Sequence, residues 1–252
     1  MMKTTIEILS KEFEIRINEP FADLSMPVGD LARAWYIAPP SFAPVTLGDW
    51  KGAVALGGGV NFFNVHFNPH AHGTHTETAG HITSERHSIN KHFRDAWTLA
   101  LVLLPKVENG LVSFEAFNKS WQQAEEAQGT VGVKSVIIKT DCGTDNLQRN
   151  YSQSNWPYLD AEIGGFLKAQ GVDHLIIDQP SVDQEEDGGA LACHRSFWGD
   201  APETSLHRTI TELTHVPDHV MPGNYLLNLQ VAPLENDAAP SRPLLYTLTP
   251  KL

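Results

Sequence analysis

The sequence predicts an α/β fold: one mixed sheet with flanking helices, in a single domain over residues 1–252. Three observations carry this. In the middle of the chain strand-like and helix-like segments alternate, as they do when parallel strands are joined by crossover helices. Segments with strand character at both ends add antiparallel strands to that core. No Pro/Gly/Ser linker, internal repeat or low-complexity tract divides the chain.

The elements follow in order. "TIEIL" and "FEIRI" alternate apolar and polar residues as the two arms of a hairpin do. Residues 22–52, rich in Pro and Gly, read as a long ordered loop. "VNFFNVHF" (60–67) is β-prone and stops at Asn68-Pro69, because proline cannot continue a ladder. His66, inside that aromatic run, is expected to be a buried structural histidine. "WTLALVLLP" is a continuous apolar run, the pattern of a central strand covered on both faces. "SFEAFNKSWQQAEEAQ" opens with Ser113 as a helix N-cap and sets Phe114, Phe117 and Trp121 at helical spacing. "SVIIKT" is a second buried strand. "PYLDAEIGGFLKAQG" reads as a helix from Pro157 to Gly171, proline at the start and glycine at the end. "HLIID", "RTITEL", "NYLLNLQVAP" and "PLLYTLT" supply the remaining strands.

Composition narrows the function. A net charge of −12 without a Lys/Arg run disfavours nucleic acid or an anionic membrane as partner. Cys142 and Cys193 lie in no CxxC pair, so neither a disulfide framework nor a thiolate zinc site is expected. They read as reduced, buried thiols of a cytoplasmic protein. The first twenty residues carry no apolar signal-peptide core, and "LALVLLP" is too short to span a bilayer.

The chemistry concentrates in "NPHAHGTHTETAGHI" (68–82), which gathers His70, His72, His75 and His81 around Glu77. It follows a strand end. His75 and Glu77, two residues apart, share a face in extended chain and can reach one ion. Neutral imidazole and carboxylate are the usual ligands of divalent metals at neutral pH, three or more per ion. His81 is placed to be a further ligand or a general base. Gly73 permits a turn or a close approach. A metal site, a metal-free acid–base site and a histidine-rich structural loop all fit these residues. One loop rarely closes a metal shell, and two distant candidates exist. His194 lies in "GGALACHRSFW". Glu212 stands between Ile210 and Leu213 in a short apolar strand, where a buried carboxylate needs a partner. Asp178 and Asp183, flanking Ser181, are candidates to orient ligand histidines, or simply form turns. Asp141 is placed at a strand end, where α/β sheets bind ligands. Trp35 is a candidate contact for an aromatic substrate, or a core or interface tryptophan.

"GTHTETAGH" resembles the core motif, H-x-G-T-H-x-D-x-x-x-H, of the cyclase family of metal-dependent hydrolases, which includes bacterial kynurenine formamidases. "FADLSMPV" (21–28), "IIDQPSVDQEEDGGALACH" and "TITEL" followed by "YLLNLQVAPL" are similar to the family's other blocks, so the resemblance runs over roughly residues 20–235. It implies an α/β fold of the swivelling β/α/β type and a divalent-metal centre, zinc first and manganese second. It further implies hydrolysis of a small amide, with N-formyl-kynurenine the typical substrate, and a homodimer or larger assembly. The family's metal-binding positions match His75, Glu77, His194 and Glu212, and its proton-transferring histidine matches His81. The chain departs from the motif at three places. The first histidine falls at Ala71, the carboxylate is Glu77 rather than Asp, and Ala79 and Gly80 stand where a proline is usual. His70 and His72 flank Ala71 and are the candidates to replace it. One ion is therefore expected rather than two. Two other readings compete: a binding module whose site has decayed, and a 2-His-1-carboxylate iron oxygenase. The helical periodicity at 113–128 and 158–170 argues against the all-β barrel of the latter.

Overall fold

The computed structural model describes residues 2–140 and 144–251. Eight strands form the main sheet: β1 (Ala22–Asp23), β2 (His75–Thr78), β3 (Trp97–Leu103), β4 (Ser135–Ile138), β5 (His174–Ile177), β6 (Thr209–Glu212), β7 (Gly223–Val231) and β8 (Ala238–Tyr246). Among the described residues four α-helices accompany them: α1 (Ile89–His92), α2 (Phe114–Gln128), α3 (Ala161–Ala169) and α4 (Ala192–Trp198). The strand order is β7-β3-β4-β5-β6-β2-β8-β1. β7 and β8 also pair with each other, so seven strands close into a barrel-like sheet with β1 added outside. β3, β4, β5 and β6 are parallel neighbours, and every other pairing within this sheet is antiparallel. The mixed α/β architecture expected from the sequence is present. These helices and the parallel run are incompatible with the all-β barrel of an iron oxygenase.

Strand alternation divides the core. Leu101, Leu103, Val136, Ile138, Leu175, Ile177 and Ile210 face outward and pack against Phe117, Trp121, Ile163, Leu167, Phe197 and Trp198 of the helices. The intervening residues, Ala100, Val102, Ile137 and Ile176, face inward against Leu227, Leu229 and Leu245. Both faces of β3–β5 are therefore apolar, which explains why these strands read as continuous hydrophobic runs. Ser113 caps α2 as expected, its hydroxyl accepting from Ala116 N.

Three expectations need correction. α3 begins at Ala161, not Pro157: Tyr158–Leu159 pairs with Leu111–Val112 instead, and Asp160 caps the helix by accepting from Glu162 N. Residues 22–52 are not all loop: Ser41–Pro44 pairs with Phe63–His66 as a two-stranded arm. His66 is exposed on that arm, because its strand has a single partner and no layer above it. The arm and its approaches expose Phe42, Leu47, Trp50, Phe62 and Phe63. No helix among the described residues is long and apolar enough to cross a membrane.

Candidate metal centre

β2 carries His75 and Glu77 on one face and Thr76 and Thr78 on the other. The threonines are engaged there: Thr76 Oγ1 meets Thr211 Oγ1 at 2.8 Å, and Thr78 Oγ1 donates to Leu206 O at 2.6 Å. The antiparallel register sets Glu212 of β6 directly opposite His75. α4 brings His194 over the same spot. The resulting distances are short: His75 Nε2 to Glu212 Oε2 3.4 Å, His194 Nε2 to Glu77 Oε1 3.0 Å and to Glu212 Oε1 3.7 Å. Two ligands bonded to one ion at about 2.1 Å in tetrahedral geometry stand roughly 3.4 Å apart, so these spacings match a shared cation. All four residues are buried.

The loop ahead of β2 decides which neighbour of Ala71 joins them. Asn68 turns the chain: its side chain accepts from His70 N, and its carbonyl accepts from Ala71 N and His72 N. Gly73 completes the turn at φ 81°, where a Cβ would lie 2.9 Å from Met26 O and from Pro27 O. Alternation of extended chain does not apply inside such a turn. His70 therefore points inward, with Nδ1 3.1 Å from Glu77 Oε2. His72, expected as an equal candidate, does not join the cluster. Its Nδ1 accepts from Asn68 N at 3.0 Å and its Nε2 donates to Ala38 O at 3.0 Å, so both ring nitrogens are occupied elsewhere. His81 lies beside His70, with ring centroids 4.5 Å apart, and its Nδ1 is 3.8 Å from Glu77 Oε2. His70, Glu77 and His81 form one group with ligand spacing, and His75, Glu77 and Glu212 form another; Glu77 is common to both.

Each inward histidine is oriented through its remote nitrogen. His194 Nδ1 donates to Asp183 Oδ2 at 2.6 Å, His70 Nε2 to Asp237 Oδ2 at 2.9 Å, and His75 Nδ1 to Gly73 O at 3.3 Å. A ligand histidine held by an acceptor on its far side is the usual arrangement around a metal. His75 Nε2 and Glu77 Oε2 have no hydrogen bond although both are buried; His70 Nδ1 is near Glu77 Oε2 but not aligned to donate to it. Orphaned buried atoms aimed at one point, drawn from imidazole and carboxylate, fit a divalent cation.

In the metal-free chain protons take that role. Burial opposes charge on His70, but Asp237 and Glu77 outweigh it and push the ring up to about 10. Burial likewise opposes charge on His194, and Asp183 and Glu77 raise it to about 10. Burial disfavours ionised Glu77, Asp183 and Asp237, yet the facing histidines hold all three below their ordinary values. The histidines contribute stability that is complete below 6.5 and lost as pH rises through about 10. The carboxylates contribute stability present above their ordinary 3.8 to 4.5 and lost as pH falls further. The contribution of these groups is therefore fullest between pH 4.5 and 6.5, and the Tm of the chelated protein should decline as pH rises from neutral toward 10. Zinc must displace those ring protons, so its added stabilisation should grow with pH. Calorimetry with and without chelator checks this. A chelated Tm that stays level from neutral to alkaline pH would contradict it.

A cavity of about 300 Å³ opens onto the cluster, lined by Trp35, Ile37, Asn68, His70, His81 and His194 among others. Trp35 reaches it while stacking edge-on against Trp156 at 5.2 Å. Trp35 (φ 63°), Leu191 (φ 46°) and Leu213 (φ 51°) adopt left-handed backbone around this site, a conformation costly for such side chains and concentrated at functional sites. Of the two aspartates expected to orient ligands, Asp183 does so. Asp178 instead accepts from Thr140 N and Oγ1 at 2.9 and 2.7 Å. Cys193 is buried, and Cys142 and Asp141 lie outside the described residues. Asp237 carried no signal in the sequence: it sits in the polar stretch "LENDAAP" with no spacing relation to any histidine.

The model of the cyclase family matches residues 22–184, which takes in the histidine cluster and Asp183 but not His194, Glu212 or Asp237. The kynurenine formamidase of Bacillus cytotoxicus is 38% identical over 93 residues, a stretch spanning 36% of this chain and 41% of that protein. Among solved structures, isatin hydrolase A from Labrenzia aggregata superposes with a TM-score of 0.62 at 13% identity, covering 90% of this chain and 93% of that one. A predicted metal-dependent hydrolase from Bacillus stearothermophilus gives 0.56 at 15% identity, over 89% and 97% of the two chains. At such identities the likeness is one of fold.

Proposed function

We propose that this chain, which belongs to the cyclase family, is a metal-dependent hydrolase of small amides, acting on an aryl N-formyl amide of the N-formyl-kynurenine kind. One observation carries the reading: three histidines, each held through its far nitrogen, converge on the buried carboxylate of Glu77 beside a cavity that His70, His194 and Glu212 line. The residues that would hold the ion are His75, Glu77, His194 and Glu212, with His70 a further ligand on the cavity side. Zinc is the first candidate and manganese the second, both accepting this ligand set. When bound, the ion supplies an acidified water and polarises the substrate carbonyl.

The chain's own groups do the rest. His81 Nδ1 donates to Asp237 at 3.2 Å, which leaves Nε2 with the lone pair. His81 takes the proton of the attacking water and returns it to the leaving nitrogen as the C–N bond breaks, giving formate and the free amine. Trp35 and Ile37 offer an apolar wall to the aryl ring. The exposed apolar arm of residues 41–66 supports assembly with further copies of the chain, since a monomer seldom leaves such a set to water.

Elemental mass spectrometry and a formate-release assay on N-formyl-kynurenine, with isatin as the cyclic amide control, test this together. About one zinc or manganese per chain and chelator-sensitive turnover are expected. A chain that stays metal-free after reloading and turns over neither amide would return the reading to a binding module. Sedimentation of the same sample reads the assembly: a dimer or larger is expected, and a monomer would remove that part.

A further inference from the structure

Asp237 stands where the two histidine roles meet. Its Oδ2 accepts from His70 Nε2 at 2.9 Å and from His81 Nδ1 at 3.2 Å. Two rings thus share one carboxylate oxygen. The carboxylate is itself firmly placed. Thr78 N donates to the carbonyl of Asp237 at 3.0 Å, Ile89 N to that of Asn236 at 2.8 Å, and the next residue, Ala238, pairs in register with Glu77. The loop between β7 and β8 is therefore fastened to the strand that carries Glu77, and Asp237 reaches over it to the histidines. Without Asp237, His70 would have only the Asn68 turn to steer it. Its backbone lies one residue from the position at which the resemblance places a ligand, and that position is Ala71, fully buried and without donor atoms.

We propose that Asp237 is a positioning residue that makes His70 serve in place of the ligand missing at Ala71, and that the same oxygen fixes the ring of His81. The proposal rests on the metal-dependent hydrolase reading. Through His70 it acts on metal affinity: the far N–H is tied to Asp237, so Nδ1 is presented beside Glu77. Through His81 it acts on turnover: the tie to Nδ1 assigns proton transfer to Nε2. One side chain thereby couples the ion's shell to the proton carrier, and both effects must disappear when the histidine concerned is removed.

The test uses full-length Asp237→Asn, His70→Ala and His81→Ala, singly and with Asp237→Asn combined with each. Zinc affinity is read by competition with a chromophoric chelator. Removing an outer partner of a ligand histidine typically weakens binding about 10–100-fold, and a loss in that range is expected for Asp237→Asn. In the His70→Ala background Asp237→Asn should weaken zinc no further. At saturating zinc, Asp237→Asn should lower kcat in the parent but not in the His81→Ala background. Should Asp237→Asn fail to fold, Asp237→Ser is measured instead. Wild-type zinc affinity and kcat in the aspartate variant would overturn the proposal, as would a zinc defect that persists without His70. A parent chain that binds no zinc would overturn the hydrolase reading and this proposal with it. Zinc binding in the parent with an unaffected Asp237→Asn overturns the proposal alone.

Discussion

Glu77→Gln should empty the centre of metal while leaving the fold intact, and Glu77→Ala should cost the metal and stability together. Glu77 is the residue common to both groups with ligand spacing, and it is buried at the convergence of His70, His81 and His194. Glutamine keeps the shape and a carbonyl oxygen facing His194 but removes the negative charge a divalent ion requires. Zinc content per chain should fall from about one to near zero, and turnover with it. Alanine removes the partner as well. In the metal-free protein the buried, charged His194 then loses the acceptor of its Nε2, and the partly buried His70 loses the carboxylate beside its Nδ1. Breaking a buried pair on one side typically costs about 3–5 kcal/mol, so urea unfolding near pH 6 should show a loss of that order. Glu212→Ala should behave similarly, since Glu212 faces His75 and also accepts from Val182 N at 3.1 Å. Full zinc occupancy in Glu77→Gln would move the ion away from this cluster.

His81→Ala should separate chemistry from binding. His81 is the most exposed of the clustered histidines and borders the cavity, whereas His75 and His194 are enclosed. A proton carrier has to meet both water and substrate, and His81 is so placed. Loss of a general acid–base residue typically lowers kcat about 100- to 10,000-fold. Zinc content should remain that of the parent, because the buried ligands His75, Glu77, His194 and Glu212 are untouched. Parallel elemental analysis and kcat measurements decide it. A variant that loses its metal would make His81 a ligand, and one that keeps its kcat would send the proton by another route.

How much of this was legible before the fold can be argued residue by residue. Short-range rules worked where the backbone is regular. Period two placed His75 and Glu77 on one face, and Ser113 marked the start of α2 through its cap. Glu212, a carboxylate in an apolar strand, announced that something buried would meet it, and His75 lies opposite it across the ladder. The same rules failed where the chain leaves regular structure. After Pro157, Tyr158–Leu159 pairs with Leu111–Val112 before the helix begins, which no local pattern foretells. At 68–73 the Asn68 turn cancels alternation, so His70 enters the site and His72 turns to Ala38.

The alternation of elements, the apolar character of both faces of β3–β5, and the kind of side chain able to hold an ion were all readable along the chain. Those follow from residue type and from periods of two and 3.6, which are local properties of the chain. The partners were set by the closed fold. Asp183 rather than Asp178 holds His194, and Asp237 meets His81 and His70 from 156 and 167 residues away. Such meetings depend on how the sheet closes through β7 and β8 and on where a loop is fastened. Closure is set by the summed packing of the whole core, so it leaves no mark on the few residues it brings together.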